Sequence, residues 1–436
     1  MKHLPQRTTP AVVAWAAARG PVFLSQRARA LLQRYGLTPR KAMQRVEKLV
    51  PTLLEHGCQP TLAVPGRVVD HYTSFIRRLQ DAGAEIAVHS YDHINLSACA
   101  LAVAHRQLAR AAHTFQHRGI EAIGFRCPYL GCSEELLETL PPGMFQYSSN
   151  MAVHWNVAPA APSQNTVFDT ITRLYRPQPA ERVLCVPSIR ANLVEIPVSV
   201  PDDLQLHDGL QLGPSGVALA WIQMLHQTYE RHELLVVLFH PELATRCEES
   251  FVATLREAGR LSPQVWVTRL RDVSAWWLEK AGFSAHAAPA GSELSITFDC
   301  TDRATILARG IDMTVPCQPW SGRYFRLRHK TLPAPADPRP FIGLAADAPA
   351  RIAPLLREQG YIIEAGETAP QCGIFLDAGA LRNFKSDVEL VNWIEAQDTP
   401  LVRYGRWPDG AKSALCLSGD LDALSLWDYG PRLFVR

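Results

Sequence analysis

His89 and His93, in the run Glu85-Ile-Ala-Val-His-Ser-Tyr-Asp-His93, stand four residues apart. On a turn that continues as helix, side chains at that spacing point the same way, so both imidazoles can reach one metal ion. By spacing alone they read equally well as surface or core histidines, since the chain holds 15. Asp420 and Asp422 follow the apolar run 414–417. One such carboxylate could bind a metal while the other takes a proton from water, against the plainer reading of a solvated acidic turn. Arg126, in Phe125-Arg-Cys-Pro-Tyr129, also ends an apolar run. A guanidinium there can pair with a carboxylate base, and a backbone amide beyond the proline can polarise a carbonyl. Read plainly, it is a surface arginine before a turn. His240 closes the run 234–239 and suits a general acid that protonates a leaving amine, or else a loop histidine.

Residues of this kind need rigid elements behind them. From about 35 to 285, strand-like runs at 60–64, 85–88, 122–125, 193–198, 234–239 and 265–268 alternate with helical stretches at 67–82, 97–118, 216–229 and 270–280. That alternation implies parallel strands with crossover helices, hence an α/β wound sheet or barrel. Thr38-Pro39 reads as a helix start with Thr as cap, and Gly57 as its stop. In a barrel, chemistry sits at the C-terminal ends of the strands, which is where His89, Arg126, His240 and Asp420 fall.

The small, Pro- and Gly-containing stretch 285–292 reads as a linker. Beyond it, 286–340 looks like a small β-rich accessory domain and 341–410 a compact α/β one, with 411–436 a separate strand-bearing piece. The segment 341–376 has no phosphate-binding glycine motif, which argues against nucleotide binding.

With 436 residues and 47% hydrophobic content, the chain can bury more than one core. Its net charge of +2, with both signs interspersed, offers no stripe for nucleic acid. No apolar run is long enough for a membrane span, and the stretch 11–18 is too short for a secretory leader. Ten scattered cysteines fit free thiols in a reducing cytoplasm better than a disulfide framework, and Cys127 and Cys132 read as ordinary buried thiols. A cytoplasmic location is therefore expected.

Taken together, four motifs resemble the polysaccharide deacetylases, carbohydrate esterases with a NodB homology domain. They are Asp420-Leu-Asp422, His89-Ser-Tyr-Asp-His93, Arg126-Cys-Pro-Tyr129 and Leu238-Phe-His240, with Pro60-Thr-Leu-Ala-Val-Pro65 similar to a family strand. The resemblance implies a distorted (β/α) barrel over 1–285 and a divalent metal, most often Zn2+. It assigns Asp422, His89 and His93 to the metal, and Asp420 to the base that activates water. Arg126 would tether that base, Tyr129 would offer its backbone amide to the oxyanion, and His240 would be the acid. The implied substrate is an N-acetylated sugar or related small amide, from which acetate is released.

The family places its aspartate pair on the first barrel strand, before the histidines, whereas here it comes near the end of the sequence. The expectation is a circular permutation in which 411–436 returns to the barrel as its first strand. A competing site, Ser295-Ile-Thr-Phe-Asp-Cys300, offers Asp299 with Asp302 as second acid, and is the weaker match. The partner orienting His240 is open between Asp202 and Asp203. Two other functions compete: hydrolysis of a non-sugar amide, and a degenerate barrel acting only as a carbohydrate-binding or scaffold protein.

Overall fold

The computed structural model describes residues 32, 34–157, 166–190 and 193–430. The short apolar stretch 11–18 and the last residues of the 411–436 piece lie outside them. Among the described residues no helix is long and apolar enough to cross a membrane.

The centre of the molecule is the strand Ser413–Asp420, buried along its whole length. An eight-residue run of small and apolar residues with almost no charge can be covered on both faces, as a parallel sheet demands. It lies parallel to Leu234–Phe239 on one side and to Thr61–Val64 on the other. Next to Thr61–Val64 come Glu85–Val88, Gly124–Phe125, Tyr147–Ser148 and Leu193–Glu195, all parallel, followed by the antiparallel Ser188–Arg190. On the far side of Leu234–Phe239 lie Val198–Val200, Ala152–His154 and Gln178–Pro179. Tyr147–Ser148 resumes as Ala152–His154, and Leu193–Glu195 as Val198–Val200, so the two flanks are joined through the chain. The sheet therefore curls into a half-barrel, a mixed α/β architecture.

Register explains why functional residues converge. Phe239 pairs with Gly419, Ala63 with Asp420, Val64 with Val88, and Val88 with Phe125. The residues one step past those ends, His240, Leu421, His89 and Arg126, thus emerge at a common level. Gly419 permits the approach, because a Cβ there would lie 2.7 Å from Cγ of Pro241 and 2.9 Å from the Phe239 ring.

The helix Arg40–Glu55 buries Ala42, Val46, Leu49, Val50 and Leu53, one face at helical spacing. Gly57 ends it with φ of 73°, in the left-handed region. Thr38 does not cap it: Pro39 occupies the N-cap position and no side-chain cap bond forms. The helix expected over 97–118 is divided, because the Asn95 side chain caps a short 3-10 turn at Leu96–Ala98 and the α-helix starts at Leu101.

One expectation about the accessory region needs correction. The stretch 285–292 is no linker: Ser284–Ala290 is a strand paired antiparallel with Glu293–Asp299 across a turn at Gly291, φ 68°. Small residues carry no helical or turn signal when they line an edge strand, which is why they resemble a tether. On either side of 340 lie two hydrophobic clusters, one around Leu294, Ile296 and Phe298 and one around Ile342, Leu356 and Ile394, and contacts cross between the two segments. Leu401–Tyr404 pairs with Ile306–Arg309 across that position, and Phe341, Cys372, Val402 and Tyr404 pack with Leu294, Ile296 and Phe298. A three-stranded parallel sheet, Ile363–Ala365, Arg339–Leu344 and Cys372–Leu376, forms the α/β portion.

Candidate active site

The histidine loop is built by hydrogen bonds that precede any ligand. Gln107, on the helix Leu101–His117, accepts from the backbone amides of Tyr91 and Asp92 and donates to the Asp92 carboxylate at 2.9 Å. His93 donates its amide to Ser90 Oγ, and both residues hold positive φ, 54° and 56°. Rather than continuing into a helix, the chain at 89–95 is therefore an ordered loop that folds His93 back over His89, ring centroids 4.8 Å apart.

Arg126 organises two neighbours at once. Its carbonyl lies 2.9 Å from His89 Nδ1, and since a carbonyl only accepts, that nitrogen carries the proton. Nε2 of His89 is thereby left with its lone pair directed at the acidic pair. The Arg126 guanidinium donates to Asp420 Oδ1 at 2.8 Å and is steadied by the Ser149 carbonyl and hydroxyl at 3.0 and 2.9 Å. Arg126 is only 1% exposed, so the pair is held away from water's screening.

His89, His93 and Asp422 form a cluster whose donor atoms lie within 4.8 Å of one another. Asp422 Oδ1 stands 2.7 Å from His93 Nε2 and 3.6 Å from His89 Nε2, and Asp420 Oδ2 is 3.8 Å from His89 Nε2. His89 Nε2 is buried and has no hydrogen-bond partner among the described residues. A lone pair facing carboxylate oxygens is unfavourable unless a cation lies between them. Two imidazoles and a carboxylate are also the donor set of a three-ligand zinc centre. The residues present therefore fit a divalent metal. Burial alone would raise the Asp422 carboxyl, but the adjacent His93 and His89 outweigh it and hold the group well below the usual carboxylate range.

His240 is gripped by Asp203, which accepts from its backbone amide at 2.9 Å and from Nδ1 at 2.7 Å. Burial opposes charge on this imidazole, yet the Asp203 carboxylate lifts its pKa to about 10. Asp202, left open as the alternative partner, serves elsewhere: it accepts from Tyr175 Oη at 2.7 Å and from the Gln205 amide at 2.8 Å. Burial and the charge on Asp203 push Asp202 up to about 6. Asp202, Asp203 and His240 also lie close enough together to be a second candidate cluster, but the Asp203 bond already takes Nδ1.

Tyr129 sits in a 3-10 turn with φ of 60°, a costly conformation for an aromatic residue, and its ring lies edge-on to His93 at 5.2 Å. Asp299 is not part of this constellation. It ends the exposed-buried alternating strand Glu293–Asp299 of the accessory sheet, and Asp302 is 97% exposed in a pair with Lys330.

Two residues escaped the motifs. Arg34 donates through Nε to Glu242 Oε1 at 2.7 Å and through Nη2 to Asp422 Oδ2 at 3.2 Å. Glu242 follows His240 by two positions, which was the only sign of it in the sequence, and nothing marked Arg34.

Residues 37–141 match the family model described as polysaccharide deacetylase. A chitooligosaccharide deacetylase of Sinorhizobium fredii is 30% identical over 138 residues, which is 30% of this chain and 60% of the relative. One from a Bradyrhizobium species is 27% identical over 134 residues, covering 30% and 59%. The chain thus spans about 60% of the length of these curated relatives. Among solved structures, a polysaccharide deacetylase, so described, from Mycobacterium smegmatis aligns at 20% identity with a TM-score of 0.41, over 61% of this chain and 84% of that one. The Bacillus subtilis peptidoglycan deacetylase PdaC aligns at 10% identity with a TM-score of 0.31, over 53% and 84%.

Proposed function

We propose that this chain, a polysaccharide deacetylase of NodB type by its matched segment and its motifs, removes an acetyl group from an N-acetylated sugar or glycan precursor. The observation that carries this reading is the meeting of Asp420 and Asp422 with His89, Arg126 and His93, across 294 residues of sequence or more.

In this reading His89, His93 and Asp422 hold a divalent ion, most commonly Zn2+. When bound, such an ion supplies Lewis acidity that polarises the acetamide carbonyl. The chain's own groups do the rest. Asp420, oriented by Arg126, takes a proton from the attacking water. The Tyr129 backbone amide faces the oxyanion. His240, kept protonated by Asp203, gives its proton to the nitrogen as the carbon–nitrogen bond breaks, so acetate and a free amine result.

The chain order is part of the proposal. The strand bearing the aspartates lies between Thr61–Val64 and Leu234–Phe239, the place of an opening strand, which supports a circularly permuted barrel whose first strand is supplied by 411–436. The accessory unit built from 286–410 is then an excursion between barrel pieces. A cytoplasmic setting is part of this reading, which the ten scattered cysteines support. The placement of Asp420 and Asp422 beside the histidines weighs against a degenerate scaffold.

Zinc-loaded protein should release acetate from N-acetylglucosamine oligomers, and His89→Ala and Asp422→Ala should lose both zinc and turnover. Tight zinc binding with no acetate release from any N-acetylated sugar, but hydrolysis of simple linear or cyclic amides, would instead establish the non-sugar alternative. Absence of bound metal in the wild type would overturn both.

A further inference from the structure

Asp422 has two oxygens with different surroundings. Oδ1 faces His93 and His89, at 2.7 and 3.6 Å, whereas Oδ2 accepts from Arg34 Nη2 at 3.2 Å. We infer that Arg34 is a positioning residue that reserves Oδ2 and so makes Asp422 a one-oxygen ligand. This deepens the proposed function and rests on its metal reading.

A carboxylate with both oxygens free can chelate an ion and fill a coordination position that water or substrate needs. With Oδ2 engaged by a guanidinium, only Oδ1 is presented toward the two imidazoles. The arginine is itself fixed. Its Nε and Nη2 both converge on Glu242 Oε1, and its carbonyl and that of Glu242 accept from one Arg45 nitrogen at 3.3 and 2.7 Å. Tyr35, next in sequence, stacks on Tyr429 at 5.2 Å, and the Arg34 guanidinium lies over the Tyr35 ring at 4.9 Å. These contacts tie the arginine to the segment that follows Asp422.

A positive charge beside a cation site would ordinarily repel the cation. Glu242 answers that objection. Its side chain is fully buried, its Oε1 takes the Arg34 fork, and its Oε2 has no hydrogen-bond partner among the described residues. A carboxylate so placed serves to balance the arginine, letting it orient Asp422 without driving off a divalent ion. Burial first, and then the charge on Asp422, raise the Glu242 carboxyl, while Arg34 and His240 pull it back.

The test uses cobalt as a spectroscopic substitute for zinc. Four- and five-coordinate Co2+ absorb visible light more strongly than six-coordinate Co2+. Arg34→Met keeps the packing of the stem and frees Oδ2, so its Co2+ absorption should fall at least about twofold as coordination number rises. Arg34→Lys should restore part of the wild-type spectrum. Glu242→Gln leaves the arginine charge unbalanced and should weaken Zn2+ affinity by about tenfold, within the range for residues supporting metal ligands. A wild-type cobalt spectrum in Arg34→Met, in a sample that binds Co2+ and loses only melting temperature, would show a merely structural arginine and overturn the inference. If Arg34→Met does not fold, the same comparison is read from Arg34→Leu. Failure of the wild type to bind any divalent metal would strike the deacetylase reading instead, so the two failures are distinguishable.

Discussion

At the scale of single residues, the division of labour follows from which atoms are already spoken for. Asp420 is bound by Arg126 and lies at 3.8 Å from the His89 nitrogen, while Asp422 makes the closer contacts with both imidazoles. Asp420→Asn should therefore keep zinc, measured by metal analysis, while turnover falls by about 10²–10⁴, the usual yield of a lost general base. An equal loss of zinc would make Asp420 a ligand. His240 supplies a pH prediction. Asp203 lifts its imidazole to about 10, so under the proposed mechanism the protonated acid persists through neutrality and the alkaline limb of kcat/KM should lie near that value. In Asp203→Asn the main group opposing burial is lost, leaving Asp422 as the opposing charge, and the limb should move to lower pH by more than about two units. The same raised value contributes stability that is fully present below the ordinary histidine pKa of 6.5 and lost as pH rises through about 10. The motif residues were legible because each motif lies at or just beyond the end of an apolar run. Asp202 and Asp203 were not separable, since adjacent acids after Pro201 look alike until the turn aims one at Tyr175 and the other at His240. Arg34 was invisible because its role depends on a contact with Asp422, far away in sequence and marked by no local pattern.

At the scale of elements, strands were easier to read than their ends. The apolar runs at 60–64, 85–88 and 234–239 correspond to Thr61–Val64, Glu85–Val88 and Leu234–Phe239, because burial on both faces selects apolar residues, the buried Glu85 being satisfied by the Thr61 and Tyr147 hydroxyls. Thr38 misled because good cap chemistry was outweighed by the path into Arg40, and 285–292 misled because edge strands tolerate small residues and proline. Gly419 is an element-scale requirement: any side chain at that position must displace Pro241 or the Phe239 ring. Gly419→Ala should cost roughly 1–3 kcal/mol, seen as a lower denaturation midpoint at unchanged slope. It should also depress activity more than stability alone explains, since Pro241 carries His240. An unaltered midpoint would mean that the strand ends are not packed this closely.

At the scale of the whole molecule, the sheet has its middle member in Ser413–Asp420, with Leu234–Phe239 and Thr61–Val64 as neighbours that meet only through it. A protein lacking residues 413–436 should therefore lose cooperative unfolding, expose apolar surface to dye binding and retain no zinc, even though the histidine loop is intact. A cooperative, metal-binding truncation would show that another strand closes the gap. The accessory sheets show the opposite dependence: Trp407 buries itself against Trp277 and donates to the His232 carbonyl at 2.9 Å, so the excursion is anchored to the barrel by its returning end.

Because Ser413–Asp420 follows both of the strands it separates in chain order, those strands are synthesised before the half-barrel can close. Throughout that interval Leu234–Phe239, six buried apolar residues in the finished molecule, has a vacant edge ready to zip onto any similar segment. Slow translation through the accessory region should then lower the yield of native molecules.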